Sequence, residues 1–182
     1  MSAFNSALAP DLIEDSWSTK TPMTYPRERL GVVAVDGKIY AIGGERTDLQ
    51  VSYVGINERY DPETDKWVTL TSMPTPRTDF AIVAYQGKIY CIGGGTTDPA
   101  LTGHLVWIRL NVNEVYDITT DSWSTKTPLP VSDAHIQAYV ANEKIIVVTD
   151  VALYMYEPIK DSWTNITDTP TRGNSHIFSY GR

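Results

Sequence analysis

The side chains able to do chemistry in this sequence are few, and their spacing decides what they can do. The three histidines, His104, His135 and His176, stand far apart. None falls in a His-x-His or His-Glu-x-x-His spacing, which would place two metal ligands on one face of an element, so no metal site is expected. Cys91 is the only cysteine, which excludes an internal disulfide and reads as a small buried hydrophobe in a strand. Gly93-Gly94-Gly95 has the composition of a phosphate cradle, but such a cradle needs a following helix and a Lys-Ser or Lys-Thr, and Thr96-Thr97-Asp98-Pro99 supplies neither. Gly-x-Ser-x-Gly and Gly-x-Gly-x-x-Gly patterns are absent, and no cofactor is implied. What remains is recognition chemistry: Arg27, Arg29, Arg46, Arg77 and Arg109, with Asp79, His104, Trp107 and His135. Arginine reads carboxylate and phosphate in bidentate fashion, and Arg and Trp dominate interface energetics.

The elements that must carry these residues are written three times. Gly37-Lys38-Ile39-Tyr40-Ala41-Ile42-Gly43-Gly44, then Glu58-Arg59-Tyr60-Asp61-Pro62, then Asp65-Lys66-Trp67 return as Gly87 to Gly94, Glu114-Val115-Tyr116-Asp117 and Asp121-Ser122-Trp123. A fainter copy runs from His135 to Trp163, with Val147-Val148-Thr149-Asp150 in place of the Gly-Gly ending and Glu143 in place of the turn glycine. The tryptophans Trp17, Trp67, Trp123 and Trp163 set a period of 40 to 56 residues, in the range of propeller blades. Within a copy, Leu30 to Val35 and Lys38 to Ile42 are short β-branched runs joined by Asp36-Gly37, a type I′ hairpin signal. The runs are nearly continuous in hydrophobicity, as in strands covered on both faces.

Gly-Gly ending an apolar strand, then Glu-x-Tyr-Asp-Pro, then Asp-x-Trp, resembles the kelch repeat. That resemblance implies an all-β, kelch-type β-propeller segment: about three complete four-stranded antiparallel blades, near 29–71, 78–127 and 134–166, with partial blades at 15–23 and 175–180. Residues 1–14 are poorly patterned, and 15–182 form the repeat segment. Gly43, Gly44, Gly93 and Gly94 are expected to hold positive φ where backbones crowd, with Tyr60, Tyr116, Trp67, Trp123 and Trp163 packing within or between blades. Asp15, Asp65, Asp121 and Asp161, each two before a tryptophan, suit turns in which the carboxylate accepts from nearby backbone N–H groups.

With 182 residues, 42% hydrophobic and 20% charged, the chain can bury a sizeable core. A net charge of −7 without any basic run disfavours nucleic acid. No apolar run reaches the roughly 18 residues of a membrane span, and Met1 to Asp15 lacks an export-signal pattern, so a membrane role is not expected and the cytoplasm is favoured. Propellers similar to this one include copper radical oxidases with a Tyr–Cys crosslink and a sialic acid mutarotase. Tyr90 and Cys91 are strand neighbours that point to opposite faces, which disfavours the first. The sugar-active reading stays as the alternative to a non-enzymatic protein- or peptide-binding module.

Kelch domains of ubiquitin-ligase adaptors, which this sequence resembles, bind partners through second-to-third-strand and inter-blade loops. Here the latter are Pro26-Arg27-Glu28-Arg29, Pro76-Arg77-Thr78-Asp79, Ser132-Asp133-Ala134-His135 and Arg172-Gly173-Asn174-Ser175, with Arg29, Asp79 and His135 in one register. The second copy carries six extra residues around Thr96 to Trp107, and added loop length is where function often resides. The expected partner is a protein or peptide, with acidic ligands as the first guess. Incomplete end blades further imply a piece of a longer propeller, or a half-ring that assembles with another copy.

Overall fold

A computed structural model describes residues 17–46, 48, 52–97 and 106–168. Residues 1–16, His104, the segment 172–175 and the strand expected at 175–180 lie outside them. The strands are, in order, β1 (Gly31–Val35), β2 (Lys38–Ile42), β3 (Glu45–Arg46), β4 (Ser52–Tyr53), β5 (Asn57–Asp61) and β6 (Lys66–Leu70), followed by β7 (Ala81–Tyr85), β8 (Lys88–Ile92), β9 (Gly95–Thr97), β10 (Trp107–Arg109), β11 (Asn113–Asp117) and β12 (Ser122–Lys126). The last four are β13 (Gln137–Ala141), β14 (Lys144–Val148), β15 (Ala152–Glu157) and β16 (Ser162–Asp168). They form three antiparallel four-stranded blades, β1-β2-β5-β6, β7-β8-β11-β12 and β13-β14-β15-β16. Among the described residues no helix is long and apolar enough to cross a membrane.

Each blade opens with a two-residue hairpin whose central residues both have positive φ, as a type I′ turn requires: Asp36 (48°) and Gly37 (71°), then Gln86 (48°) and Gly87 (69°). The third blade keeps the geometry without the glycine, holding Glu143 at 61°. The first strands β1, β7 and β13 pack against one another in turn and form the inner side of the stack.

Alternate residues of the middle blade face opposite neighbours, so there are two apolar layers and no single core. Tyr40, Ile42, Met73, Phe80, Ile89, Cys91 and Tyr116 fill the layer between the first and second blades. Tyr90, Ile92, Val115, Leu129, Ile145, Val147, Tyr154 and Tyr156 fill the next. Tyr90 and Cys91 thus sit in different layers, and burial pushes the Cys91 thiol up to about 12, so it stays protonated and inert.

The glycine pairs sit where blades meet. Gly44 and Gly94 have φ of 98° and 97°, and a Cβ on them would lie 2.8 Å from the Glu28 carbonyl and 2.5 Å from the Thr78 carbonyl. Gly94 N–H donates to the Asp133 carbonyl at 2.8 Å and Gly44 N–H to the Arg77 carbonyl at 3.0 Å, so each pair anchors the linker leading into the next blade.

A second device clips blades together. Asp65, Asp121 and Asp161 accept backbone N–H bonds from Thr21, Thr71 and Thr127 at 3.0, 2.9 and 2.9 Å. Trp67, Trp123 and Trp163 donate their indole N–H to the carbonyls of the same three threonines at 2.9, 2.8 and 2.9 Å. The Tyr60, Tyr116 and Tyr156 hydroxyls donate to the same carboxylates at 2.5, 2.6 and 2.5 Å. The expected carboxylate turn is therefore a longer reach, because each Asp-x-Trp grips both ends of a threonine that precedes its own blade. The tryptophans are half-buried, with ring centroids 4.7–5.1 Å from the partner tyrosines. Trp17, whose segment through Met23 carries no sheet pairing, is 101% exposed, so the strand expected there is absent over the described residues 17–23.

Candidate functional site

The linkers entering the three blades repeat one backbone path. Asp79 N–H donates to the Arg29 carbonyl at 3.3 Å and His135 N–H to the Asp79 carbonyl at 2.8 Å, which lines these three residues up across the blades at the mouth of the inner side. All three have left-handed backbones, with φ of 55° for Arg29, 54° for Asp79 and 59° for His135. Non-glycine residues held there cost of order 1–3 kcal/mol each, and such positions cluster at binding and catalytic sites.

The Arg29 guanidinium forms a fork with the Asp79 carboxylate and reaches Glu45 Oε2 at 3.3 Å. The hydrogen bond to Asp79 raises its already high pKa further. His135 Nε2 is 3.8 Å from Asp79 Oδ1 and its side chain is 62% exposed. The Trp107 ring lies over His135 with centroids 5.9 Å apart.

Trp107 is placed by a feature that the sequence concealed. The second-to-third-strand connections begin and end as short antiparallel ribbons, β3 with β4 and β9 with β10. Arg109 pairs in register with Gly95, and the indole of Trp107 covers Gly95 so closely that a Cβ there would overlap the ring. Arg109 extends from the ribbon to the third linker, donating to Asp133 Oδ1 at 2.7 Å and Asp150 Oδ2 at 3.1 Å. On the first ribbon Arg46 is held by Asp48 at 3.0 and 2.7 Å and lies 5.4 Å from the Tyr25 ring centroid. Tyr53, half-buried across from Glu45, has its phenol pKa raised by burial and by the Glu45 carboxylate.

Two residues expected at this surface are not on it. The Arg77 guanidinium is fully buried, donating to the carbonyls of Gly93 (2.9 Å), Thr75 (2.8 Å) and Cys91 (2.8 Å) and to Glu114 Oε2 (2.5 Å). The Arg27 side chain is equally enclosed, bonded to the carbonyls of Tyr25, Gly43, Ile56 and Ala41 and to Glu58 Oε2 at 2.8 Å. Burial lowers its pKa and the Glu58 carboxylate opposes that. Both arginines lock a linker to its own blade, and neither is available to a partner. In the third blade Asp133 and Tyr154 stand at the two positions, so arginine and glutamate are lost together, as the cost of a lone buried charge requires.

The kelch motif model matches residues 26–74 and 76–130. The chain belongs to the kelch-repeat family. A solved structure described as "Structure of YjhT" superposes with a TM-score of 0.68 at 16% sequence identity, covering 84% of this chain and 54% of that one. At that identity the likeness shows the fold alone, and the chain spans about half the length of YjhT. No curated protein matches the sequence.

In kelch terms, the mouth joins Arg29, Asp79, His135, Trp107 and Arg109, with Arg46 at its edge. Glu45, Tyr53 and Asp150 also belong to it and escaped the sequence reading, which had Asp133 only as a member of an inter-blade loop. The missed signal was register: Glu45 follows the glycine pair as Gly95 does, and Asp133 occupies the register of Arg27 and Arg77.

Proposed function

We propose that this chain is a binding module of the kelch type whose mouth, at Arg29, Asp79, His135, Trp107 and Arg109, receives a protein or peptide segment and carries out no turnover. The observation that carries this reading is the line of three left-handed, non-glycine residues with three different side chains at one register. The repeats fix the backbone there and leave the chemistry free, as a rigid scaffold does when it presents a varied surface.

The expectation of an acidic ligand rested on unengaged arginines. Arg29, Arg46 and Arg109 are instead each held by carboxylates. Glu45, Asp48, Asp79, Asp133 and Asp150 outnumber them, leaving the mouth net acidic. An acidic segment must displace those carboxylates, whereas a basic or aromatic residue adds to them and to the exposed His135 beside the half-buried Trp107. The partner segment we propose therefore carries Arg or Lys beside an aromatic.

The test is selection of peptides from a displayed random library on the 182-residue chain. Enrichment of basic and aromatic residues, with Trp107→Ala or Asp79→Asn weakening binding by at least about 2 kcal/mol at unchanged melting temperature, supports the reading. Binders that ignore both substitutions place the partner on another face. The sugar-active alternative predicts instead turnover of a small saccharide that Arg29→Ala abolishes.

A further inference from the structure

The middle blade is covered on both sides, and the outer two on one side each. In β7 every residue is buried or half-buried, but in β1 Val32 and Ala34 are exposed and in β13 every residue except Ala138 is exposed. Val32 is 55% exposed and Tyr139 40% exposed. The register of the repeats says what these surfaces are. Val32 and Ile39 stand where Ile82 and Ile89 meet the preceding blade. Tyr139, Ile146, Val148 and Met155 stand where Val83, Tyr90, Ile92 and Val115 meet the following one. One chain thus bears both halves of the joint it makes twice internally.

We infer that the open face of the third blade seats the open face of the first blade of a second copy, two copies closing one ring head to tail. Two further observations converge on this occupant. The joint is continuous with the internal ones: a further step of the Arg29–Asp79–His135 backbone line joins the His135 carbonyl to the Arg29 N–H of a second copy. The seat is apolar around Val32 and Ile39 on one side and around Ile146, Val148 and Met155 on the other, beside the polar Gln137, and an open apolar face is disfavoured in water. The Asp65–Trp67 clip of the first blade is already filled by Thr21, so a second copy engages the inner part of the face, around Val32 and Ile39. The mouth then becomes a closed circle in which Arg29, Asp79 and His135 each occur twice.

Because the joint is heterologous, with different patches on its two sides, a mixing experiment tests it. The wild-type chain should sediment at twice its 20.3 kDa, without further growth at higher concentration. Val32→Glu and Tyr139→Glu, both at exposed positions and so expected to keep the monomer's melting temperature, should each give monomer alone. Mixed in equal amounts, they should restore a dimer, because one of the two joints in the mixed ring is then wild-type. A wild-type chain that stays at monomer mass at high micromolar concentration overturns the inference, and further blades of a longer chain then fill the faces. A mass that keeps rising with concentration overturns ring closure, and a Val32→Glu variant that still dimerises alone overturns the choice of faces.

Discussion

Replacing Arg77 by methionine removes a charge that the fold has built around. Among the described residues its guanidinium is the only counter-charge within 4 Å of the Glu114 carboxylate, whose side chain is 3% exposed. Glu114 keeps the Thr75 hydroxyl at 2.7 Å and the Thr75 N–H at 3.4 Å, which are neutral donors and do not balance its charge. Breaking a buried pair from one side costs about 3–5 kcal/mol, and the Gly93 and Cys91 carbonyls lose a donor as well. We therefore expect Arg77→Met to cost about 4 kcal/mol or more, a large share of the 5–15 kcal/mol typical of a domain. Glu114→Met should cost about 3 kcal/mol, since Arg77 keeps its carbonyl partners. The double variant removes both charges and should lose less than the sum of the singles by about 2 kcal/mol. Urea unfolding followed by tryptophan fluorescence, with an unchanged m-value, measures all three. An Arg77→Met variant within about 1 kcal/mol of the parent, or singles that simply add, would show that the linker is held by something other than this pair.

Three further outcomes follow from backbone geometry and from the clips. Gly94→Val should destabilise by at least about 2 kcal/mol, since its positive φ and the Thr78 carbonyl both exclude a Cβ, and a neutral urea midpoint would remove that explanation. Glu143→Gly should stabilise by about 1 kcal/mol, because the turn already holds Glu143 at φ 61°, and the shift in melting temperature reads it. The carboxyls of Asp65 and Asp121 are held below their ordinary value by the Tyr60 and Tyr116 hydroxyls and by threonine N–H groups; for Asp161 the Tyr156 and Thr127 bonds outweigh a burial effect of opposite sign. Carboxyls with lowered pKa contribute stability that is complete above the unfolded value of about 3.9 and is lost as pH falls through the folded values. The hydrogen bond to Asp65 raises Tyr60 to about 12, so its share is complete below about pH 10 and lost towards pH 12. Melting temperature against pH should fall at both ends, and Asp121→Asn should flatten the acid limb.

The parts of the fold legible in the sequence were those a blade contains within itself. Asp36-Gly37 announced a hairpin because both residues tolerate positive φ, and Gly43-Gly44 with Trp67 announced the repeat because each copy rebuilds the same contacts. The parts concealed were those that join copies. Nothing local to Asp121 or Trp123 shows that they hold Thr71, some 50 residues earlier. The ribbons that carry Trp107 and Arg46 have two or three residues per strand, too short for an alternation pattern to register. Arg27 and Arg77 misled because arginine is rarely buried without a partner, and the partners lie 31 and 37 residues away in sequence. One signal for them was present: Glu58 and Glu114 accompany them, and both types vanish together at Asp133 and Tyr154.

That joint loss also separates architecture from recognition in a chain that repeats itself. Where copies agree, as at Tyr60, Tyr116 and Tyr156, the side chain makes the same contact each time, and its role is exhausted by that contact. Where copies differ together, as at Arg77 with Glu114 against Asp133 with Tyr154, one packing solution has replaced another, and both partners are internal. Where copies differ singly while the backbone stays fixed, as at Arg29, Asp79 and His135, the shared left-handed backbone does not itself dictate the side chain. The φ values agree within 5°, although only Arg29 and Asp79 pair as ions at close range. A left-handed residue costs energy whatever its side chain, and glycine would relieve that strain at all three positions. On the proposed binding reading, arginine, aspartate and histidine stand there for what they present at the mouth, which is why that proposal rests on this register and not on the number of arginines.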